Sequence, residues 1–185
     1  MAKKATRRLR YQVAASLDGF IGTPDGKPDW IPSDPEIDFG ALFAQFDTFL
    51  LGRRTFEAMG GQGQSSGMKT VVVSRTLKAA DHPGVTVIAD GLADAVTALK
   101  AQPGKDIWLF GGGELFRSLA SLGLVDRVEV ALVPVLLGGG TPMVPPPLAQ
   151  TRLKLDGHRL YKKSGIMLLE YAVVSPKTPR LGASV

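Results

Sequence analysis

Five short apolar runs, separated by helical or turn patterns, constrain this chain more than any other feature. Residues 9–15 (LRYQVAA), 48–52 (TFLLG), 69–74 (KTVVVS), 85–89 (VTVIA) and 106–110 (DIWLF) have strand length and are rich in apolar or β-branched side chains. Between them apolar residues recur at helical spacing: Phe39, Leu42, Phe43 and Phe46, then Leu92, Ala95, Val96 and Leu99 with Asp90 placed to cap. Leu115, Phe116, Leu119 and Leu122 repeat the pattern, and Gly123 closes it. Strands alternating with helices bury both faces of a sheet. The prediction is an α/β fold with a mostly parallel central sheet and helices on both faces. After residue 125 the rhythm changes, because 126–135 and 165–174 read as strands with no helical pattern between them. An antiparallel C-terminal strand pair is expected there. The Gly- and Pro-rich segment 136–152 reads as a long surface loop.

At 185 residues, one domain over 9–174 is expected, with a basic disordered arm over 1–8 and a flexible tail over 175–185. The formal net charge is +5, but the first ten residues hold five basic side chains and residues 176–185 two more. That leaves 15 basic against 17 acidic side chains between 11 and 175. The excess belongs to the ends, so nucleic acid is not an expected partner. The absence of cysteine excludes disulfides and thiolate zinc sites, and His82 and His158 stand 76 residues apart, so no metal is expected. No run of about 18 apolar residues and no signal-peptide core occur, so the expectation is a cytoplasmic protein without a membrane partner.

In an open α/β sheet, ligands bind beyond the carboxyl ends of the strands, which directs attention to the strand-to-helix junctions. Three of them have phosphate-binding character. Gly52-Arg53-Arg54-Thr55 ends a strand in Gly and opens a helix with two guanidinium groups and a hydroxyl, donors suited to phosphate oxygens. A solvated helix start capped by Thr55 is its other use. Ser74-Arg75 ends KTVVVS, where an Arg accommodates the 2′-phosphate of NADP and an acid would favour NAD; ordinary surface is the alternative. Gly111-Gly112-Gly113-Glu114 lets a diphosphate approach backbone amides at a helix start, although it meets neither the G-x-G-x-x-G nor the P-loop pattern. Gly138-Gly139-Gly140 is as readily a simple loop as a site. Taken together, the three junctions make a dinucleotide the economical ligand.

The segments VAASLDGFIG, LLGRRTFEAMG, VVVSRT and IWLFGGGELF, in that order and spacing, resemble the dihydrofolate reductase-like superfamily over most of residues 9–174. With PVLLGGGTP added, the chain is most similar to stand-alone bacterial proteins that resemble the C-terminal reductase domain of the riboflavin-biosynthesis protein RibD. The resemblance implies a dihydrofolate reductase-like fold and NADPH as cofactor. It implies that Ala15 and Ile21 flank the nicotinamide and that Gly52, Arg53, Arg54 and Thr55 hold phosphates. Ser74 and Arg75 would meet the 2′-phosphate, and Gly111, Gly112, Gly113, Glu114 and Leu115 the diphosphate. Asp18 to Asp25 would form the mobile loop over the reaction centre. A homodimer through the late strands and the Gly-rich loop is also implied.

Reduction of a C=N or C=O carbon needs a hydride donor and a proton for the neighbouring heteroatom. Folate reductases place a carboxylate on the helix after the first loop, and here this chain departs from them. GKPDWIPSDPEIDF offers Asp34, Glu36 and Asp38 around Trp30. Ser33-x-x-Glu36 forms a capping box and Asp34-Pro35 a good helix start, which leaves Asp38 with the least structural employment. Asp38 is therefore the first candidate acid, Glu36 the second and Asp18 the third. Trp30 is the candidate to stack on a planar substrate, while Trp108, inside a strand, belongs to the core. The expected activity is NADPH-dependent reduction of a pteridine-like or ribosylaminopyrimidine-like small molecule. The alternative is a non-catalytic NADP(H)- or ligand-binding protein of the same fold.

Overall fold

The computed structural model of the chain describes residues 6–61 and 67–174. Its main sheet contains β1 (Leu9–Ser16), β3 (Phe46–Gly52), β4 (Lys69–Val73), β5 (Val85–Ile88), β6 (Asp106–Gly111), β7 (Arg127–Val133), β9 (Arg152–Leu160) and β10 (Met167–Val174). These lie in the order β5-β4-β3-β6-β1-β7-β10-β9, and a second ribbon pairs β2 (Phe20–Gly22) with β8 (Thr141–Pro142). Every pairing from β5 to β7 is parallel, while β7–β10 and β10–β9 are antiparallel. The helices are α1 (Phe39–Phe43), α2 (Arg53–Ala58), α3 (Leu92–Ala101) and α4 (Gly113–Ser121). The mostly parallel α/β sheet with an antiparallel C-terminal strand pair is as expected.

The period-two alternation of a strand sorts β1 into two faces. Leu9, Tyr11 and Ala15 enter the larger core cluster, where α3 contributes Val96 and α4 contributes Leu115, Phe116 and Leu119. Tyr11 stacks on Phe116 with ring centroids 4.0 Å apart, an arrangement worth about 1 kcal/mol beyond its buried area. Burial raises the Tyr11 phenol well above its ordinary range, and its hydroxyl donates to the Met143 carbonyl at 3.1 Å. A second cluster, containing Phe46, Phe49, Phe56 and Trp108, packs beneath α1 and α2. Trp108 is a core residue as expected, surrounded by Phe43, Phe46, Phe49 and Phe110. A third cluster of Val133, Tyr161 and Ile166 is covered by Trp30 and Ile37.

Several expectations need correction. The helical periodicity from Phe39 to Phe46 yields only the five-residue α1, because Phe46 begins β3 opposite Asp106. There its ring lies 4.8 Å from that of Trp108 and 4.6 Å from the Arg10 guanidinium carbon, so strand pairing and burial outweigh the helical spacing. Asp90 does not cap α3; Gly91 does so in a left-handed conformation. The segment expected to be loop up to residue 152 contains β8 and leads into β9, an edge strand whose residues are nearly all exposed. Leu153 and Leu155 alternate in β9 but are exposed, and the pattern stops where the register against β10 shifts. The basic arm expected over 1–8 fails at Arg7 and Arg8. Arg7 is only 4% exposed, pairs with Asp47 and donates to Thr48 Oγ1 at 2.7 Å, and Arg8 pairs with Asp106 at 2.7 Å. Residues 1–5 and the expected tail lie outside the described residues.

Candidate active site

The carboxyl ends of the parallel strands open into a cleft of about 1640 Å³. All three junctions singled out from the sequence line it. Gly52 ends β3, and Arg53, Arg54 and Thr55 start α2 beside it. Arg53 pairs with Glu57 at 3.7 Å, with both side chains about half exposed, whereas neither Arg54 nor Arg75 pairs with an acid among the described residues. Ser74 Oγ accepts the amides of Thr76 and Leu77 at 3.2 and 3.0 Å, so it also shapes the turn that carries Arg75. Gly111, Gly112, Gly113, Glu114 and Leu115 line the cleft at the β6–α4 junction.

That last junction needs its glycines. Gly111 has φ +133°, a conformation L side chains rarely adopt. A Cβ on Gly113 would stand 2.5 Å from the Pro142 carbonyl oxygen, so the β8 segment packs directly on the start of α4. Gly112 caps α4 without a side-chain hydrogen bond, which leaves the helix's positive end open toward the cleft. Glu114 is turned to Arg117 at 2.6 Å.

The first loop contributes Ile21 to the cleft, but the alanine beside it is Ala14 rather than Ala15. Ala15 is 1% exposed and belongs to the core cluster. Successive residues of a strand point to opposite faces, so Ala14 and Ala15 part company here. Trp30 does not line the cleft either, since it packs over Tyr161 and Val133 as part of the third cluster.

The three candidate acids go to three places. Asp38 lines the cleft, but it is the N-cap of α1, accepting the Ala41 amide at 2.8 Å, so its presumed lack of structural employment is corrected. Glu36 is half exposed outside the cleft, 3.9 Å from Arg159. Asp18 ties two loops together, accepting from Ser16 Oγ at 2.6 Å and from the Gly138 and Leu137 amides at 2.7 and 3.1 Å. Those bonds, the Ser16 hydroxyl first, hold its carboxyl below the usual range. No helix starts at the Ser33-x-x-Glu36 box, since α1 begins only at Phe39. Asp34 is instead buried and accepts the Glu36 and Ser164 amides, both at 2.9 Å, which anchors this loop to the β9–β10 turn.

The floor of the cleft carries residues that the sequence reading overlooked. On the face of β1 opposite the core stand Arg10, Gln12 and Ala14, and across the β1–β7 pairing Gln12 faces Glu129. Glu129 is 1% exposed and held by both arms of Arg10 at 2.8 Å and by Arg127 Nε at 3.0 Å. Arg10 also reaches Gln45 at 2.8 Å and Asp106 at 3.3 Å. Burial opposes ionisation of Asp106, but hydrogen bonds and charge from Arg8 with the charge of Arg10 outweigh it, and the carboxyl is held below its usual range. A polar residue at alternate positions of otherwise apolar strands was the available signal for this floor.

A family model described as the RibD C-terminal domain matches residues 7–167. The chain belongs to this family. It is 34% identical over 179 residues to the uncharacterized protein YyaP of Bacillus subtilis, covering 89% of this chain and 94% of YyaP. Among solved structures, a putative riboflavin biosynthesis protein from Shewanella sp. PV-4 superposes with a TM-score of 0.78 at 22% identity, over 91% of this chain and 99% of that one. Dihydrofolate reductase from Enterococcus faecalis, complexed with NADP(H), superposes with a TM-score of 0.65 at 18% identity, over 91% and 97% of the two chains. The dihydrofolate reductase-like fold expected from the motifs is therefore the fold of this RibD C-terminal domain. No helix among the described residues is long and apolar enough to cross a membrane.

Proposed function

We propose that this RibD C-terminal domain is an NADPH-dependent reductase of a pteridine-like or ribosylaminopyrimidine-like small molecule. The observation that carries the reading is the convergence of three strand-end junctions, remote in sequence, on one cleft. The residues fit the cofactor: Arg53, Arg54 and Thr55 offer donors to phosphate, Gly111 to Leu115 offer an open helix start, and Arg75 offers a guanidinium with no acid partner among the described residues. Bound there, NADPH supplies hydride to an electron-poor carbon. Ala14 and Ile21 give the neighbouring wall a small apolar surface, which excludes water from the reacting atoms. Of the three sequence candidates, Asp38 alone stands in the cleft, and it is the group proposed to assist protonation.

Trp108 lines the cleft, so NADPH binding should quench tryptophan fluorescence. Oxidation of NADPH, followed by absorbance over a panel of pterins, folates and ribitylated aminopyrimidines, tests turnover. Failure to bind NADPH would sink the reading. Binding without oxidation by any member would establish the non-catalytic alternative. A homodimer is also proposed, supported by the exposed leucines of the edge strand β9, Leu153, Leu155 and Leu160. Light scattering that finds only monomer at micromolar concentration would overturn it.

A further inference from the structure

The side-chain amide of Gln12 is left uncommitted at the centre of the cleft floor. Its Oε1 is buried and has no hydrogen-bond partner among the described residues. The hydrogen bond that Gln12 makes outside the sheet ladder runs through its main chain, whose carbonyl accepts Trp108 Nε1–H at 3.0 Å. A buried acceptor without a donor costs free energy, and such atoms are exceptions among buried polar groups.

The residues around it have no donor to give. Arg10, two residues back on the same face of β1, is engaged by Glu129, Gln45 and Asp106. Trp108 uses its single side-chain N–H on the main-chain carbonyl. Ala14, two residues on, carries no polar side-chain atom. Across the β1–β7 pairing stands Glu129, held by Arg10 and Arg127, and the row continues through Glu170 of β10 to Gly157 of β9. Carboxylates held in this way only accept. The amide is also free to turn, because its terminal torsion has a broad, roughly two-fold profile and no side-chain hydrogen bond among the described residues holds it. Turned edge-on to the cleft, it presents a carbonyl acceptor beside an N–H donor.

We infer that Gln12 is a specificity-determining residue that reads an N–H donor with an acceptor beside it on the substrate ring, as in a ring lactam. The ring N–H donates to Oε1, and Nε2–H donates to the adjacent ring acceptor, so both ends of the amide are paired at once. The orphaned oxygen selects the donor, and the N–H on the same amide adds the acceptor next to it. The inference rests on the reading of this cleft as a reductase active site. There Ala14 belongs to the wall beside the nicotinamide, and Gln12 lies about 7 Å along the strand, under the far edge of a ring stacked on that wall. Within that reading the substrate is a heterocycle whose ring N–H is unsubstituted, and rings that present only acceptors at this edge are disfavoured.

The test is calorimetric titration of the intact chain with pteridine-2,4-dione and with its 1,3-dimethyl derivative, which keeps both carbonyls and has no N–H. Each is titrated with and without NADPH, in mildly acidic buffer that keeps the first ring neutral, on the natural protein and on Gln12→Leu. The natural chain should prefer the N–H ring by roughly 10-fold, as one neutral hydrogen bond allows. Gln12→Leu should lose most of that preference and keep its NADPH affinity, and a preference due only to methyl bulk would survive the substitution. The free variant should melt no lower than the natural chain, since an apolar side chain removes the unpaired oxygen. Gln12→Met repeats the comparison should the branched side chain fold poorly. A natural chain that binds neither ring, or both equally, overturns the inference, as does a folded variant that keeps the preference. Loss of NADPH affinity in the variants would assign Gln12 to the cofactor, a lower melting temperature in both would assign it to the fold, and either overturns the inference. A natural chain that prefers the N–H ring through Gln12 but does not bind NADPH overturns the reductase reading and leaves the role of Gln12 standing.

Discussion

The two halves of the cleft are built differently. The phosphate-facing half consists of short contiguous segments, Gly52 to Thr55, Ser74-Arg75 and Gly111 to Leu115, each a strand end passing into a turn or helix. The other half is a floor assembled from single side chains on separate strands: Arg10 and Gln12 on β1, Glu129 on β7 and Glu170 on β10. A contiguous junction works through backbone amides and local donors, so its chemistry travels with the segment. A floor works through register, so its chemistry exists only once the strands have paired. The first half should therefore tolerate side-chain loss without unfolding, and the second should not.

The largest effect is expected on the floor. Replacing Glu129 by Leu leaves Arg10 and Arg127 without the carboxylate that both engage at a nearly sealed position, and breaking a buried pair in this way costs about 3–5 kcal/mol. Urea denaturation would show a lower midpoint, and a loss under about 1 kcal/mol would mean the floor is less integral to stability than its burial indicates.

A smaller effect, and on binding alone, is expected at Arg75. Arg75→Ala should weaken NADPH by roughly 10- to 100-fold, leave NADH unchanged and leave the denaturation midpoint in place, since the side chain is exposed and joins no ion pair among the described residues. Equal weakening of both nucleotides would break the assignment to the 2′-phosphate.

The smallest effect separates neither half but tests the loop above them. The Asp18 carboxyl is held below its ordinary range when folded, so its contribution to stability is present above the unfolded carboxylate value and is lost as pH falls through the lowered one. Asp18→Asn should lower the melting temperature at neutral pH, and the gap to the natural chain should close as pH falls through and below the ordinary carboxylate range. A gap that stays constant over that interval would show that the two hydrogen-bonded loops do not depend on the charge.

What was legible in the sequence follows the same division. The strands of the parallel sheet, the late antiparallel pair and all three junctions were read from local pattern, because apolar periodicity and glycine placement are local properties. The acid was not. Asp38 looked unemployed in one dimension, yet α1 begins at Phe39, which makes Asp38 its N-cap. Ala15 and Ala14 are neighbours in every motif, and only the phase of β1 against the core decides which one meets the cleft. Trp30 packs on Tyr161, and Arg7 pairs with Asp47, across 40 residues or more of chain.

The α/β class, the succession of parallel strands and the donors at the strand ends are written in the sequence, because each rests on interactions among residues close along the chain. Which polar side chains share the floor is settled by strand pairing. Gln12, Glu129, Glu170 and Gly157 become one row through strand register, and register is a property of pairs of strands rather than of any segment.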